Sequence, residues 1–210
     1  MCGQFELPLQ GLAEWETEID RKYASLPLPA PWRRKGTAQP GDILPVLARG
    51  TSGNAGPFLM RWGYRQDNKG RLLINARSET AYRKPLFSSS FENRRCLIPA
   101  ASYYEWQRTG KGRQKFALTP QGAGDHRYLA CLYRYENDPR LPAFVVLTRA
   151  AEPDIAFIHN RMPVLLDEDA AQAWLSPTVD PQTILSRALT VMDAASQLDP
   201  NAPLPDIWEE

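Results

Sequence analysis

The chain is poor in the residues on which metal and disulfide chemistry is built. Its 210 residues include three cysteines and two histidines. Cys2, Cys96 and Cys131 are odd in number and widely spaced, which argues against a disulfide framework and against a CxxC zinc site. His126 and His159 are too few for a histidine-rich centre, so no metal and no cofactor is expected. Long apolar runs are missing too: none approaches the roughly 18 residues of a membrane span. The N-terminus lacks the basic-then-apolar pattern of a secretory leader, since Gln4 and Glu6 follow close behind Cys2. A lipoprotein cysteine needs such a leader, so that explanation of Cys2 fails and a cytoplasmic location is expected. A large net charge is also absent, at +1, but the charge is unevenly placed. From Glu152 onward Arg161 and Arg187 face 11 acidic residues, which leaves +10 on the first 151 residues. An asymmetry of that size favours a polyanion-binding face on the first part.

What is present begins at the second residue. Met1 is normally trimmed when a small side chain follows, and Cys2 qualifies. The trimmed chain would carry an α-amine and a thiol on one residue. Such a 1,2-aminothiol condenses with an aldehyde to a Schiff base and closes to a five-membered thiazolidine. Alternatively, the thiol attacks an amide with the amine as its base. Free amine and thiol titrate near ~8 and ~8.5, so both routes are open at neutral pH. Cys96 and Cys131 lie in apolar runs and read as buried core residues.

The length suits one domain with a substantial core. Leu12, Trp15, Ile19 and Tyr23 keep helical spacing and predict a helix over 10–24. The stretch 26–41, rich in Pro, Arg and Gly, reads as a loop. Strand-like runs follow at 43–47, 58–64, 72–75, 103–106, 115–118, 128–133 and 144–147, with turns near 67–70 and 109–112. Short helices are predicted at 78–83, 152–158 and 168–175, the last with Asp167 as N-cap and Pro177 beyond its end. The expected fold class is α+β: a single domain on a curved, mainly antiparallel β-sheet, barrel-like, with short flanking helices. The domain is expected over 1–198, with an acidic, proline-rich tail over 199–210.

Five segments carry candidate chemistry in a fixed order. After Met1-Cys2-Gly3-Gln4-Phe5 come Trp62-Gly63, then Asn75-Ala76-Arg77-Ser78-Glu79-Thr80, then Arg94-Arg95-Cys96-Leu97-Ile98-Pro99 leading to Tyr103-Tyr104-Glu105-Trp106, then Ile158-His159-Asn160-Arg161-Met162-Pro163. From Cys2 to about Trp174 the chain resembles the SOS response-associated peptidase family, whose members shield abasic sites in single-stranded DNA. The resemblance implies that Cys2 is the nucleophile, that Glu105 and His159 are acid/base groups and that Asn75 holds the Cys2 terminus. It implies DNA contacts by Arg77 and Arg161 on phosphates, by Trp62 as a stacking platform, and by Gln4, Pro40, Lys84, Tyr104 and Thr148. Trp62 reads almost as well as a core tryptophan. The implied partner is single-stranded DNA with abasic sites, bound by a monomer that is nucleoid-associated when on DNA. The implied product is a covalent thiazolidine crosslink, and removal of Met1 is proteolysis enough for the family's peptidase name.

Two positions depart from the family pattern. Gln4 stands where an arginine is usual, removing a positive charge beside the nucleophile. Asn160 stands where an aspartate is usual, next to His159 and Arg161. The loop between Gly63 and Leu72 is short and polar, without an aromatic wedge. Two other classes compete. An N-terminal-nucleophile amidase also begins Met-Cys-Gly, but it commonly uses an Asn-Gly pair, and this chain has none. A plain single-stranded DNA-binding module would retain DNA without Cys2.

Overall fold

The computed structural model describes residues 2–8, 12–28, 30–66, 70–110, 112–121 and 127–197. The expected tail over 199–210 and the Asp67-Asn68-Lys69 turn lie outside them. The chain opens with β1 (Gln4–Leu7), α1 (Ala13–Tyr23) and β2 (Gly36–Ala38). The hairpin β3 (Ile43–Arg49) and β4 (Ala55–Trp62) follows, then the short β5 (Tyr64–Arg65), β6 (Leu72–Leu73) and β7 (Asn75–Arg77). Helices α2 (Ser78–Ala81) and α3 (Ser88–Asn93) lead into β8 (Arg95–Pro99), β9 (Ser102–Thr109) and β10 (Gly112–Pro120). The rest is β11 (Tyr128–Arg134), β12 (Ala143–Ala150), β13 (Arg161–Pro163), β14 (Leu165–Leu166), α4 (Glu168–Leu175), α5 (Pro181–Leu185) and β15 (Met192–Gln197).

Five strands close into a ring. β12 pairs in parallel with β4, and antiparallel pairs then join β4 to β3, β3 to β8, β8 to β11 and β11 back to β12. Alternate residues leave opposite faces of each strand. Leu129 and Cys131 of β11 and Phe144 and Val146 of β12 point into one core cluster, while Ala130, Leu132, Val145 and Leu147 point into another. Both faces of the ring are therefore apolar, which explains why these strands read as continuous hydrophobic runs. The outer face is covered by Phe91 of α3, Trp174 of α4 and Ile184 of α5. Ile19 of α1 packs on Ile43 and Leu59 of the β3–β4 hairpin. A second sheet, ordered β15-β10-β9-β1-β2, sets Phe5, Leu7, Tyr103, Leu118 and Met192 against the inner cluster. Cys2, one step before β1, belongs to that cluster.

Local sequence explains most ends. Asp167 caps α4 by accepting the Ala170 N–H, as its spacing predicted. Gly63 turns the chain after β4 with φ +110, and a Cβ there would sit 2.9 Å from Leu72 Cβ. Two expectations differ from the fold. The loop 26–41 contains β2, because β1 offers an open edge that pairs Phe5 with Ala38. The predicted helix over 152–158 is a run of tight turns instead, with the Ile155 N–H on Glu152 O and the Ile158 N–H on Ile155 O. A three-residue repeat is enough to bury Ile155 and Ile158 without a full α-turn.

Candidate active site and nucleic-acid face

The site is assembled where the second sheet meets the ring. β1 pairs with β9, placing Phe5 opposite Tyr103 and Gln4 opposite Tyr104. The alternation along β9 turns Tyr103 and Glu105 inward, both buried, and leaves Tyr104 and Trp106 half-buried. β7 lies parallel to β12, with Asn75 beside Val146. From there Asn75 Nδ2 donates to the Cys2 carbonyl at 2.9 Å. Cys2 is fully buried, and its Sγ faces Gln4 O at 3.7 Å. Burial first, and then the Glu105 carboxylate, push the Cys2 thiol far above its ordinary range. Burial followed by Cys2 and Glu105 pushes the Tyr103 phenol up as well. These mutual influences mark Cys2, Tyr103 and Glu105 as one buried group.

Two polar atoms of this group are buried without a hydrogen-bond partner among the described residues: Asn75 Oδ1 and the Tyr103 hydroxyl. Each costs about 1–3 kcal/mol when left unmade, so two in one place suit a polar ligand rather than a packing core.

His159 is half-buried, with Nδ1 at 3.0 Å from the Arg161 N–H and 3.1 Å from the Arg161 carbonyl. The Arg161 guanidinium grips Glu79 at 2.6 and 2.9 Å and also reaches Thr148 O at 2.6 Å. The arginine holds the Glu79 carboxyl below its ordinary range. Arg77 and Lys84 are exposed, and neither has an ion pair among the described residues. Pro40 is exposed in the turn before β3. Tyr104 donates to Glu6 Oε2 at 3.3 Å, and Lys115 Nζ lies 4.0 Å from the Tyr104 ring centre.

Two residues expected on the DNA face are not on a surface. Trp62 is fully buried, its indole donating to Ile74 O at 3.1 Å and packed between Phe5 and Phe144. The core alternative therefore describes Trp62, because β4 turns it to the inner face of the ring. Thr148 is also fully buried, and contributes its carbonyl to Arg161. Sequence reasoning gave no role to Tyr103 and Glu79, although both lie within its motif segments. The inward alternation of Tyr103 with Glu105 was the available signal for the first.

The model of the family described as "SOS response associated peptidase (SRAP)" matches residues 1–200. The chain belongs to this family. It is 29% identical to the abasic site processing protein YoaM of Bacillus subtilis (strain 168), over 92% of this chain and 87% of that protein. It is 30% identical to the abasic site processing protein YoqW of the same organism, over 89% and 85% respectively. Identity to the abasic site processing protein YedK of Escherichia coli (strain K12) is 29%, over 83% and 79%. Among solved structures, a protein from Bacteroides thetaiotaomicron superposes with TM-score 0.70 at 19% identity, covering 93% of this chain and 91% of its own. A phage-related protein from Bordetella bronchiseptica gives TM-score 0.70 at 21% identity, covering 94% and 95%. These likenesses establish the SRAP fold, and Cys2, Asn75, Glu105 and His159 stand within it as the candidate site. Among the described residues no group of three or more metal-ligating side chains occurs, and no helix is long and apolar enough to cross a membrane.

Proposed function

We propose that the protein processes abasic sites in single-stranded DNA by forming a thiazolidine crosslink through Cys2 after Met1 is removed. The reading is supported by one observation above others. Asn75 fastens the Cys2 carbonyl at 2.9 Å inside a buried group with Tyr103 and Glu105, in a chain whose relatives are named for abasic site processing.

The chemistry follows from the two groups on Cys2. The amine adds to the C1′ aldehyde of the ring-opened sugar to give a carbinolamine. Protonation of its hydroxyl expels water and leaves an imine. The thiol then adds across the imine carbon, its proton passes to the nitrogen, and the ring closes with one water lost overall. A thiol held in its protonated form by burial and by the Glu105 carboxylate favours the amine as first nucleophile. Glu105 and His159 are the proton carriers of the sequence. Arg77 and Lys84 supply phosphate contacts, and Arg161 joins them once its grip on Glu79 is shared. No side chain needs to read a base, since the lesion has none.

The test is incubation of tag-free protein with single-stranded DNA bearing one abasic site, followed by a denaturing gel. A shifted band that is absent for Cys2→Ala is expected. Equal retention of DNA by both proteins, all of it lost on denaturation, would instead describe a non-covalent binding module.

A further inference from the structure

Phe157 is 57% exposed in a chain that buries Phe5, Phe87, Phe91 and Phe144. It does not hang free. Its ring stands perpendicular to that of Phe116, with centres 6.0 Å apart and planes at 90°. Such an edge-to-face contact fixes a ring while leaving a face open. Phe116 in turn packs against the core cluster that contains Cys2, and in the β9–β10 ladder it lies directly opposite Glu105. Phe157 is two residues from His159 along the chain. The aromatic pair is therefore at the rim of the Cys2, Glu105 and His159 site.

A strand with a missing base still carries bases on both sides of the gap, and proteins that hold single strands stack those bases on aromatic faces. Trp62 is buried and offers no such face. We propose that Phe157, buttressed by Phe116, is the stacking platform for a nucleobase adjacent to the abasic sugar. The proposal rests on the abasic-DNA reading above and adds a base-binding subsite to it. Stacking is indifferent to base identity, so the subsite fixes the register of the strand without imposing a sequence.

The experiment uses tag-free full-length protein and two abasic oligonucleotides, with 2-aminopurine immediately 5′ or 3′ of the lesion. Emission, affinity and crosslink yield are read on the same samples for wild type, Phe157→Ala and Phe157→Trp. Wild type is expected to quench one of the two probes. Phe157→Ala loses that quenching and binds about 5- to 150-fold more weakly, with crosslinking recovered at saturating DNA, and Phe157→Trp restores both. Unchanged thermal unfolding of both variants keeps folding out of the comparison. Crosslinking by wild type with quenching and affinity unchanged in Phe157→Ala would overturn the platform and leave the abasic-DNA reading standing. Neither binding nor crosslinking by wild type would overturn both.

Discussion

The surroundings of the Cys2 thiol keep it protonated. Burial and the Glu105 carboxylate act in the same direction, and a negative neighbour disfavours a thiolate. Glu105→Gln removes the second-largest of the causes that raise it, so the thiol titrates lower and the thiolate fraction at any given pH rises. Alkylation of Cys2 by iodoacetamide, followed by mass spectrometry of the N-terminal peptide, is expected to be slow in wild type and faster in Glu105→Gln. It should climb with pH in both. A slower reaction in the variant would remove the electrostatic account of the thiol. Asn75 has a different task, holding the Cys2 backbone rather than moving a proton. Asn75→Ala should fold but crosslink about 10- to 100-fold more slowly, as expected when a nucleophile is misplaced by an ångström or so. Both residues stood out in the sequence because their motifs did. Tyr103 did not, since its buried, unpartnered hydroxyl becomes visible only when β9 is placed against the core.

Short elements are held in place here by charged side chains at their ends. Arg95, at the start of β8, donates to the carbonyls of Phe91 and Glu92 at 3.1 and 2.8 Å, and to those of Trp174 and Ser176 at 2.7 and 2.6 Å. One guanidinium thus satisfies the C-terminal ends of both α3 and α4, where carbonyls lack partners and a cation opposes the helix dipole. Arg95→Met strands these carbonyls and should cost about 3 kcal/mol. A fall in Tm of about 6–12 °C is expected by calorimetry for a domain of this size. The motif containing Arg95 was legible in the sequence, but its role in joining α3 to α4 was not, because the Trp174 and Ser176 carbonyls lie 79 and 81 positions away. The contact between Arg161 and Glu79 joins β13 to α2 and fills the fork that a phosphate would take. Glu79 is largely exposed, so the pair is worth little on its own. Glu79→Gln should raise affinity for single-stranded DNA about two- to fivefold at low salt, measured by fluorescence anisotropy. A loss of affinity would mean that Glu79 aims Arg161 at the DNA.

The five-strand ring, closed by a parallel contact between β12 and β4, brings residues from the two ends of the chain's first 161 positions into one site. The apolar runs and turn residues were sufficient to read an α+β barrel-like domain, since continuous hydrophobic strands mark a sheet buried on both faces. They did not reveal β1, β2, β8, β13, β14 or β15; of these, β1, β2 and β15 are held by pairing partners distant in sequence rather than by their own composition. For the same reason Trp62 read as a platform and almost as well as core: the face a strand residue takes depends on which neighbour closes the ring. The candidate site was named in the sequence through its motifs, and the fold seats Cys2, Asn75 and Glu105 together. The decisive measurement concerns the bond itself. An imine and a thiazolidine have the same mass, so the crosslink to abasic DNA should be denatured, treated with iodoacetamide and weighed intact. The account predicts a product lacking Met1 and one water, in which Cys96 and Cys131 take up label and Cys2 does not. A linked product carrying label on all three cysteines, or no linked product from protein shown to have lost Met1, would contradict it.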